Sequence, residues 1–398
     1  MTSPQIHETC PACGAGRMTP FFEVRGVPVN SVLLLPTREE AVNFPKGDIV
    51  LGFCEACGFI SNIAFDPAEQ EYSARYEATQ GYSGTFNAFH KGLAERLIQK
   101  YGLRDKTLIE IGCDKGDFLT MLCELGNNRG IGFDPAYVPD RIPSPAKDRM
   151  TFIADFYGEA YQKYAADFVC CKMTLEHIPT VADFMKTVRR SIGNRSETIV
   201  FFQIPEVRRI LREVAFWDVY YEHCSYFSKG SLARLFRKTG FDVMELGTEY
   251  DDQYLMIEAR PGTGSGPAPL PEEDDLESLR QDVAYFTSTL QTTLERWQKR
   301  LREITAAGRK AVIWGGGSKG VAFLTKLNIV DEIRYAVDIN PLKAGTFMAG
   351  TGQEIVGPEF LKTYKPDLVI VMNPIYMPEI GAELQRLGVS AELLPITA

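Results

Sequence analysis

The chain of 398 residues contains no run of the eighteen or more apolar residues that a membrane-crossing helix needs, so a membrane span is excluded on sequence. It has no basic excess either: 43 Lys and Arg stand against 52 Asp and Glu, a formal net charge of −9. Nucleic acid requires clustered cations on the protein, so it is not an expected partner. A small phosphorylated ligand, which needs one local positive site, stays open. The start, Met1-Thr2-Ser3-Pro4-Gln5, has neither the basic nor the apolar stretch of a secretory leader, and the expectation is a cytoplasmic protein. Histidine is scarce, with four in the whole chain, so each imidazole can be weighed by itself.

What is present is the composition of a globular protein, 45% hydrophobic and 24% charged, long enough for two or three domains. Residues 1–75 carry cysteine pairs and short strand-like runs such as Ser31-Val32-Leu33-Leu34-Leu35. Residues 88–101 are periodic as a helix, with Phe89, Leu93, Leu97 and Ile98 on one face. Strand-like runs at 107–111, 129–133, 168–173 and 198–204 then alternate with helical stretches, which predicts a parallel sheet covered by helices. The Pro- and Gly-rich segment 261–271 marks a linker, and a charged helix is predicted over 274–307. Alternation resumes with strands at 311–314, 333–337 and 368–372. The expected class is α/β, in three blocks: 1–75, 76–262 and 272–398.

Of nine cysteines, four form two CxxCG turns, Cys10-Pro11-Ala12-Cys13-Gly14 and Cys54-Glu55-Ala56-Cys57-Gly58. Two residues between thiols let both sulfurs reach one ion from a tight turn, and the glycine lets the backbone bend around it. Four cysteine ligands, Cys10, Cys13, Cys54 and Cys57, predict a structural zinc site with no open position for catalysis; a redox pair is the alternative.

The run Glu110-Ile111-Gly112-Cys113-Asp114-Lys115-Gly116 reads as strand, glycine turn, helix, with a spacing unlike the dinucleotide fingerprint. The next strand ends in Asp134, suited to the two hydroxyls of a ribose, and the third ends in Asp155-Phe156, an acid and an aromatic that can bracket an adenine. The pattern resembles class I methyltransferases. That resemblance implies S-adenosylmethionine as cofactor, with Glu110, Gly112 and Gly116 along its methionine and ribose, Asp134 on the ribose and Asp155 with Phe156 at the adenine. An NAD-type site is the alternative.

The segment Asp218-Val219-Tyr220-Tyr221-Glu222-His223-Cys224-Ser225-Tyr226-Phe227-Ser228 crowds aromatics, a glutamate and a histidine into one loop before a helix capped by Ser228. His7 and His90 stand in polar contexts and are expected at the surface; His177, after a central strand, is expected to shape its loop. His223 has a carboxylate and phenols beside it that can orient an imidazole or share its proton. On the residues alone it reads equally as a packed loop histidine.

Zinc turns, methyltransferase core, this loop and a C-terminal α/β unit together resemble the sugar C-methyltransferases that act on nucleotide-linked 4-keto-6-deoxysugars. The resemblance covers nearly the whole chain. It implies a small N-terminal zinc-binding domain over 1–75, a Rossmann-like methyltransferase domain over 76–262 and a C-terminal Rossmann-like domain over 272–398 that helps hold the nucleotide-sugar. It places the base on His223, with Glu222 and Tyr220 as its catalytic partners. Two departures accompany it. Tyr221 stands where the family shows a histidine, and Tyr250-Asp251-Asp252-Gln253-Tyr254 replaces a His-Gly-Gly-Ser run. Tyr221 and Asp252 are expected to face the substrate.

A second glycine-rich turn, Gly315-Gly316-Gly317-Ser318-Lys319-Gly320, follows a strand and precedes a helix, and the next strand ends in Asp338. Read by spacing it is an NAD site. The family reading gives it to the nucleotide-sugar, with Ser318 and Lys319 on the diphosphate. The expected reaction is C-methylation through an enolate by a monomer or homodimer. The alternatives are a cyclisation or aldol-type reaction on the same scaffold without methyl transfer, and a binding module that turns over neither ligand.

Overall fold

A computed structural model describes residues 8–262, 266–329 and 331–397. His7, residues 1–5 and part of the expected linker lie outside the described residues.

The first block builds strands β1 (Thr19–Pro28), β2 (Lys46–Phe53) and β3 (Ile60–Asn62), antiparallel neighbours in that order. The run Ser31 to Leu35 is not a strand; Leu33 makes a single bridge to Tyr76, and Val32 and Leu34 bond to the backbone of Glu77 and Arg75. Val32, Leu33 and Leu35 are buried without joining a sheet, Leu33 and Leu35 in a core that also holds C-terminal residues such as Ile355 and Met348.

Strands β4 (Thr107–Ile111), β5 (Arg129–Phe133), β6 (Met150–Ile153), β7 (Phe168–Lys172) and β8 (Ile199–Pro205) are parallel, in spatial order β6-β5-β4-β7-β8. β7 is buried at every position, as a strand covered on both faces must be. The chain starts at β4, works outward through β6 and returns to β7. That reversal creates a switch point, and ligands in such sheets bind outside the carboxyl ends of the strands there.

A two-residue strand, β9 (Ser225–Tyr226), leaves this domain and pairs with β3, Ile60 opposite Tyr226. Strands β10 (Phe241–Glu249) and β11 (Tyr254–Pro261) close the seven-stranded sheet as an antiparallel hairpin beside β8. The 31-residue helix Leu276–Ala306 follows. It leads into β12 (Ala311–Trp314), β13 (Ile333–Val337), β14 (Glu354–Val356), β15 (Leu368–Val371) and β16 (Glu392–Pro395), a parallel sheet ordered β14-β13-β12-β15-β16. It has the same reversal, between β12 and β15. Class I methyltransferase architecture, a second C-terminal sheet and an N-terminal cysteine cluster are thus all present.

The apolar cores do not follow the three sequence blocks. One unites residues of β1 to β3, the long helix and the C-terminal sheet; another joins Cys10, Cys54 and Cys57 to the back of the methyltransferase sheet.

Candidate active site

The two cysteine turns are built alike. In each the amide after the second cysteine donates to the carbonyl of the first, Gly14 to Cys10 and Gly58 to Cys54, both at 2.8 Å. Both glycines have left-handed backbone, φ +76° and +74°, a conformation that favours glycine. Cys10 and Cys57 sulfurs lie 3.7 Å apart, Cys13 and Cys54 sulfurs 3.6 Å, and all four fall within 4.8 Å of one another. Four thiolates about 2.3 Å from one tetrahedral ion stand about 3.8 Å apart, so the sulfurs fit a metal.

At the first switch point a cavity of about 800 Å³ is lined by Glu110, Gly112, Asp134, Asp155 and Phe156 among others. Gly112 has φ +70°, and a Cβ there would meet Thr174 Oγ1 at 1.9 Å, so the loop after β7 can come this close only to glycine. Gly116 lies against Phe152. It caps the helix Asp117–Gly126 with φ +92°, a Cβ on it would strike the Phe152 ring at 2.6 Å, and it is not among the described lining residues. Glu110 is buried and accepts from the Leu119 amide at 2.9 Å; burial pushes its carboxyl up to about 7. Asp134 is held by two amides, Asp114 at 2.8 Å and Ala136 at 2.7 Å, which aim the carboxylate while leaving lone pairs for a ligand. Asp155 accepts from the Phe156 amide at 2.7 Å, and the Phe156 ring is 63% exposed, edge-on to Tyr72.

A second cleft of about 850 Å³ runs from this cavity to the second switch point. Tyr76, Ala78, Thr79, Gln80, Met173 and His177 line both spaces, so the two are chambers on one wall. Ser318, Lys319, Gly315 and Gly317 line the far chamber. Asp218 forms ion pairs with both Lys319 and Arg209; burial alone would raise its carboxyl, but the two cations hold it low. Arg209 also pairs with Glu213 at 2.8 Å, so in this structure the two cations are matched by two carboxylates.

Tyr220, Glu222 and His223 all line the cleft near the shared wall. The loop is fastened from both sides, by β9 on β3, by the Cys224 amide on the Glu176 carbonyl and by the Asn62 amide on the Cys224 carbonyl, each of these bonds at 2.9 Å. His223 Nε2 and the Tyr220 hydroxyl are 2.9 Å apart, and Nδ1 has no hydrogen-bond partner among the described residues. Burial, then the neighbouring His177 and Lys319, push His223 well below the ordinary imidazole range, so it is neutral, and the same surroundings make it a weak base. Glu222 accepts from the Ser31 amide and hydroxyl, both at 2.6 Å, and burial raises it to about 7.

Two residues expected at the substrate lie elsewhere. Tyr221 points away from the large cleft: its ring packs on Phe65 and over Gly47, and its hydroxyl accepts from the Asp66 amide at 3.0 Å. The chain turns here, with the His223 amide donating to the Tyr220 carbonyl at 3.2 Å, and Tyr220, Glu222 and His223 line the large cleft while Tyr221 does not. Asp252 is exposed, accepts from Thr248 in the hairpin turn and does not line the cleft; Gln253 and Tyr254 do. Nor is His90 a surface residue: it is 9% exposed, with Nε2 2.7 Å from Lys172 Nζ.

Glu176 and His177 were not anticipated at the reacting end. Glu176 Oε1 lies 4.0 Å from His223 Nε2, neither of its oxygens has a side-chain hydrogen-bond partner among the described residues, and burial raises it to about 8. His177 stands edge-on to His223, centroids 4.9 Å apart, and its Nδ1 is 3.1 Å from the Tyr72 hydroxyl. The signal was their position, directly after the strand at the switch point. Gln253 and Asn373, whose amides bond reciprocally at 3.1 and 3.0 Å across the cleft, carried no such signal.

Two families match the chain: a methyltransferase domain over residues 86–246 and a C-methyltransferase C-terminal domain over residues 270–391. With the switch-point cavity, these define the class as an S-adenosylmethionine-dependent methyltransferase. More narrowly, the chain is a C-methyltransferase. It is similar to the C-methyltransferase NovU of Streptomyces niveus, 26% identical over 323 residues, covering 77% of this chain and 75% of that protein. Among solved structures, magnesium protoporphyrin IX methyltransferase of Synechocystis PCC 6803 with bound S-adenosylhomocysteine is 12% identical, TM-score 0.36, over 45% of this chain and 84% of that one. An S-adenosylmethionine-dependent methyltransferase of Listeria monocytogenes is 14% identical, TM-score 0.33, over 44% and 99%. The assignment does not rest on these two. No helix among the described residues is long and apolar enough to cross a membrane.

Proposed function

We propose that the protein methylates the carbon beside the ketone of a nucleotide-linked keto-deoxysugar, through an enolate. The observation that carries this reading is the shared wall: a cofactor-sized cavity and a long cleft that holds Lys319 and Arg209 share one set of lining residues, close to where His223 is buried. Bound in the first chamber, S-adenosylmethionine supplies an electrophilic methyl on a cationic sulfur. Asp134 would hold its ribose, Gly112 would let the backbone approach it, Glu110 would line its methionine side, and Asp155 with Phe156 would border its adenine.

In the far chamber Lys319 and Arg209, with Ser318 and the start of the helix Ser318–Leu327, suit a diphosphate. Beyond them Trp314, Met372 and Ile380 offer apolar surface for a base. A dinucleotide fits less well: Asp338, placed for a ribose, already accepts from the Gly316 amide at 3.0 Å and pairs with Lys343 at 3.3 Å. A diphosphate beside Lys319 brings the sugar toward Tyr220 and His223. A ketone acidifies its neighbouring carbon, because the charge left behind spreads onto oxygen. Neutral His223 takes that proton, directly or through the Tyr220 hydroxyl. Glu222, fixed by Ser31, holds the loop that carries the base. Holding the partners together, with water excluded, lowers the barrier to transfer.

Incubation with S-adenosylmethionine and a panel of nucleoside-diphosphate 4-keto-6-deoxysugars tests the reading. One S-adenosylhomocysteine should form for each sugar that gains a carbon-bound methyl. A sugar altered with no S-adenosylhomocysteine would point to chemistry without methyl transfer, and unchanged sugars across the panel would remove the substrate class. We also propose that the four cysteines bind one structural zinc ion. Metal analysis should find one zinc per chain, and Cys13→Ser or Cys57→Ser should lower stability and yield before altering chemistry; a folded, metal-free wild type would contradict the site.

A further inference from the structure

The cofactor cavity is rich in acid: Glu110, Asp114, Asp117, Asp134, Asp155 and Glu159 all line it. Such a lining suits a sulfonium, an α-ammonium group and ribose hydroxyls, but it repels the carboxylate at the amino-acid end of the same molecule. Lys172 is the sole lysine or arginine among the described residues lining it. It ends β7, is buried, and its ammonium sits 3.9 Å from the centre of the Phe118 ring.

The only hydrogen bond of that ammonium among the described residues is to His90 Nε2, at 2.7 Å. An imidazole nitrogen accepts a proton donor only when neutral, and burial followed by the Lys172 charge pushes His90 down to about 2. His90 therefore holds one ammonium hydrogen and leaves two for something else. Glu110 and Asp117 act on the lysine through space without a bond. A buried ammonium with unused donors is costly until an anion meets it.

We propose that Lys172, positioned by His90, is the subsite for the carboxylate of the cofactor's amino-acid end. This rests on S-adenosylmethionine occupying the first chamber. Phe118 walls the subsite, and the acids beyond it receive the α-ammonium and the ribose. The cavity thus sorts a zwitterionic amino acid by charge, with its single anion against the single lysine.

Calorimetry should compare S-adenosylhomocysteine with 5′-deoxy-5′-(3-aminopropylthio)adenosine, the same molecule lacking only the carboxylate. Wild-type protein should prefer the former by roughly 10–100-fold, the scale of one charge-assisted contact. Lys172→Met should lose about that factor for S-adenosylhomocysteine and change little toward the analogue; Lys172→Arg should retain part of the preference. His90→Leu should give a smaller loss, again confined to the carboxylate-bearing ligand. Equal wild-type affinity for the two ligands overturns the proposal even if Lys172→Met fails to fold, and so does an equal loss for both in a folded variant. Binding of neither ligand to the wild type would instead overturn the cofactor reading itself.

Discussion

The chain contains the same device twice, a strand, a glycine turn and a helix at the point where a parallel sheet reverses, and the two are put to different use. At the first, Asp134 rests on two backbone amides and keeps its charge available to the cavity. At the second, Asp338 takes amides from Gly316 and Asn340 and is also neutralised by Lys343. The glycine spacing of the second turn is the one associated with dinucleotides, yet its acid is already engaged. Under the proposed function, what surrounds the carboxylate decides the ligand more than the spacing of the glycines. The groups proposed to react belong to neither turn; Tyr220 and His223 line the cleft between them.

That division can be broken most forcefully at the wall. His223→Asn should bind S-adenosylhomocysteine as the wild type does and lose turnover by about 10²–10⁴-fold, the contribution of a positioned general base. Unchanged turnover would make His223 a packing residue. Tyr220→Phe sharpens the point, since a comparable loss would place the phenol between sugar and imidazole.

The two acids come next. Asp134→Ala should weaken S-adenosylhomocysteine by roughly 1.5–3 kcal/mol, the usual scale for a charged hydrogen-bond partner, while Asp338→Ala should leave that affinity alone. Calorimetry giving equal effects would erase the distinction between the crevices.

The smallest effect concerns pH. Glu176 is raised by burial from 4.5 to about 8. It stays protonated in the fold while the unfolded chain ionises, so its contribution is fully present below pH 4.5 and is lost as pH rises toward 8. Glu176→Gln should remove that loss, flattening the decline of stability between pH 5 and 8 by roughly 1–3 kcal/mol. Parallel wild-type and variant curves over that range would show that Glu176 does not titrate this way.

The parts legible beforehand are those encoded within a few residues. CxxCG turns, strand–glycine–helix joints and strand-end acids need only local chain geometry, and each was found where its spacing placed it. The side of a loop from which a residue leaves is not local. Tyr220 and Tyr221 are adjacent at a turn, yet one lines the cleft and the other packs over Gly47. His90 looked exposed among polar neighbours but is buried by Phe86 and Phe118 and by Lys172 from a distant strand. Gly116 stands where its motif placed it, and its missing side chain leaves room for the Phe152 ring.

The central claim is that a proton leaves carbon before a methyl arrives. It is tested most directly by incubating wild-type protein with S-adenosylhomocysteine and the accepted keto sugar in deuterated water, with no methyl donor present. The account predicts that NMR will show protein-dependent loss of one proton signal, at the carbon beside the ketone that S-adenosylmethionine would methylate. Retention of that proton, in protein that still methylates the same carbon when given S-adenosylmethionine, would contradict it.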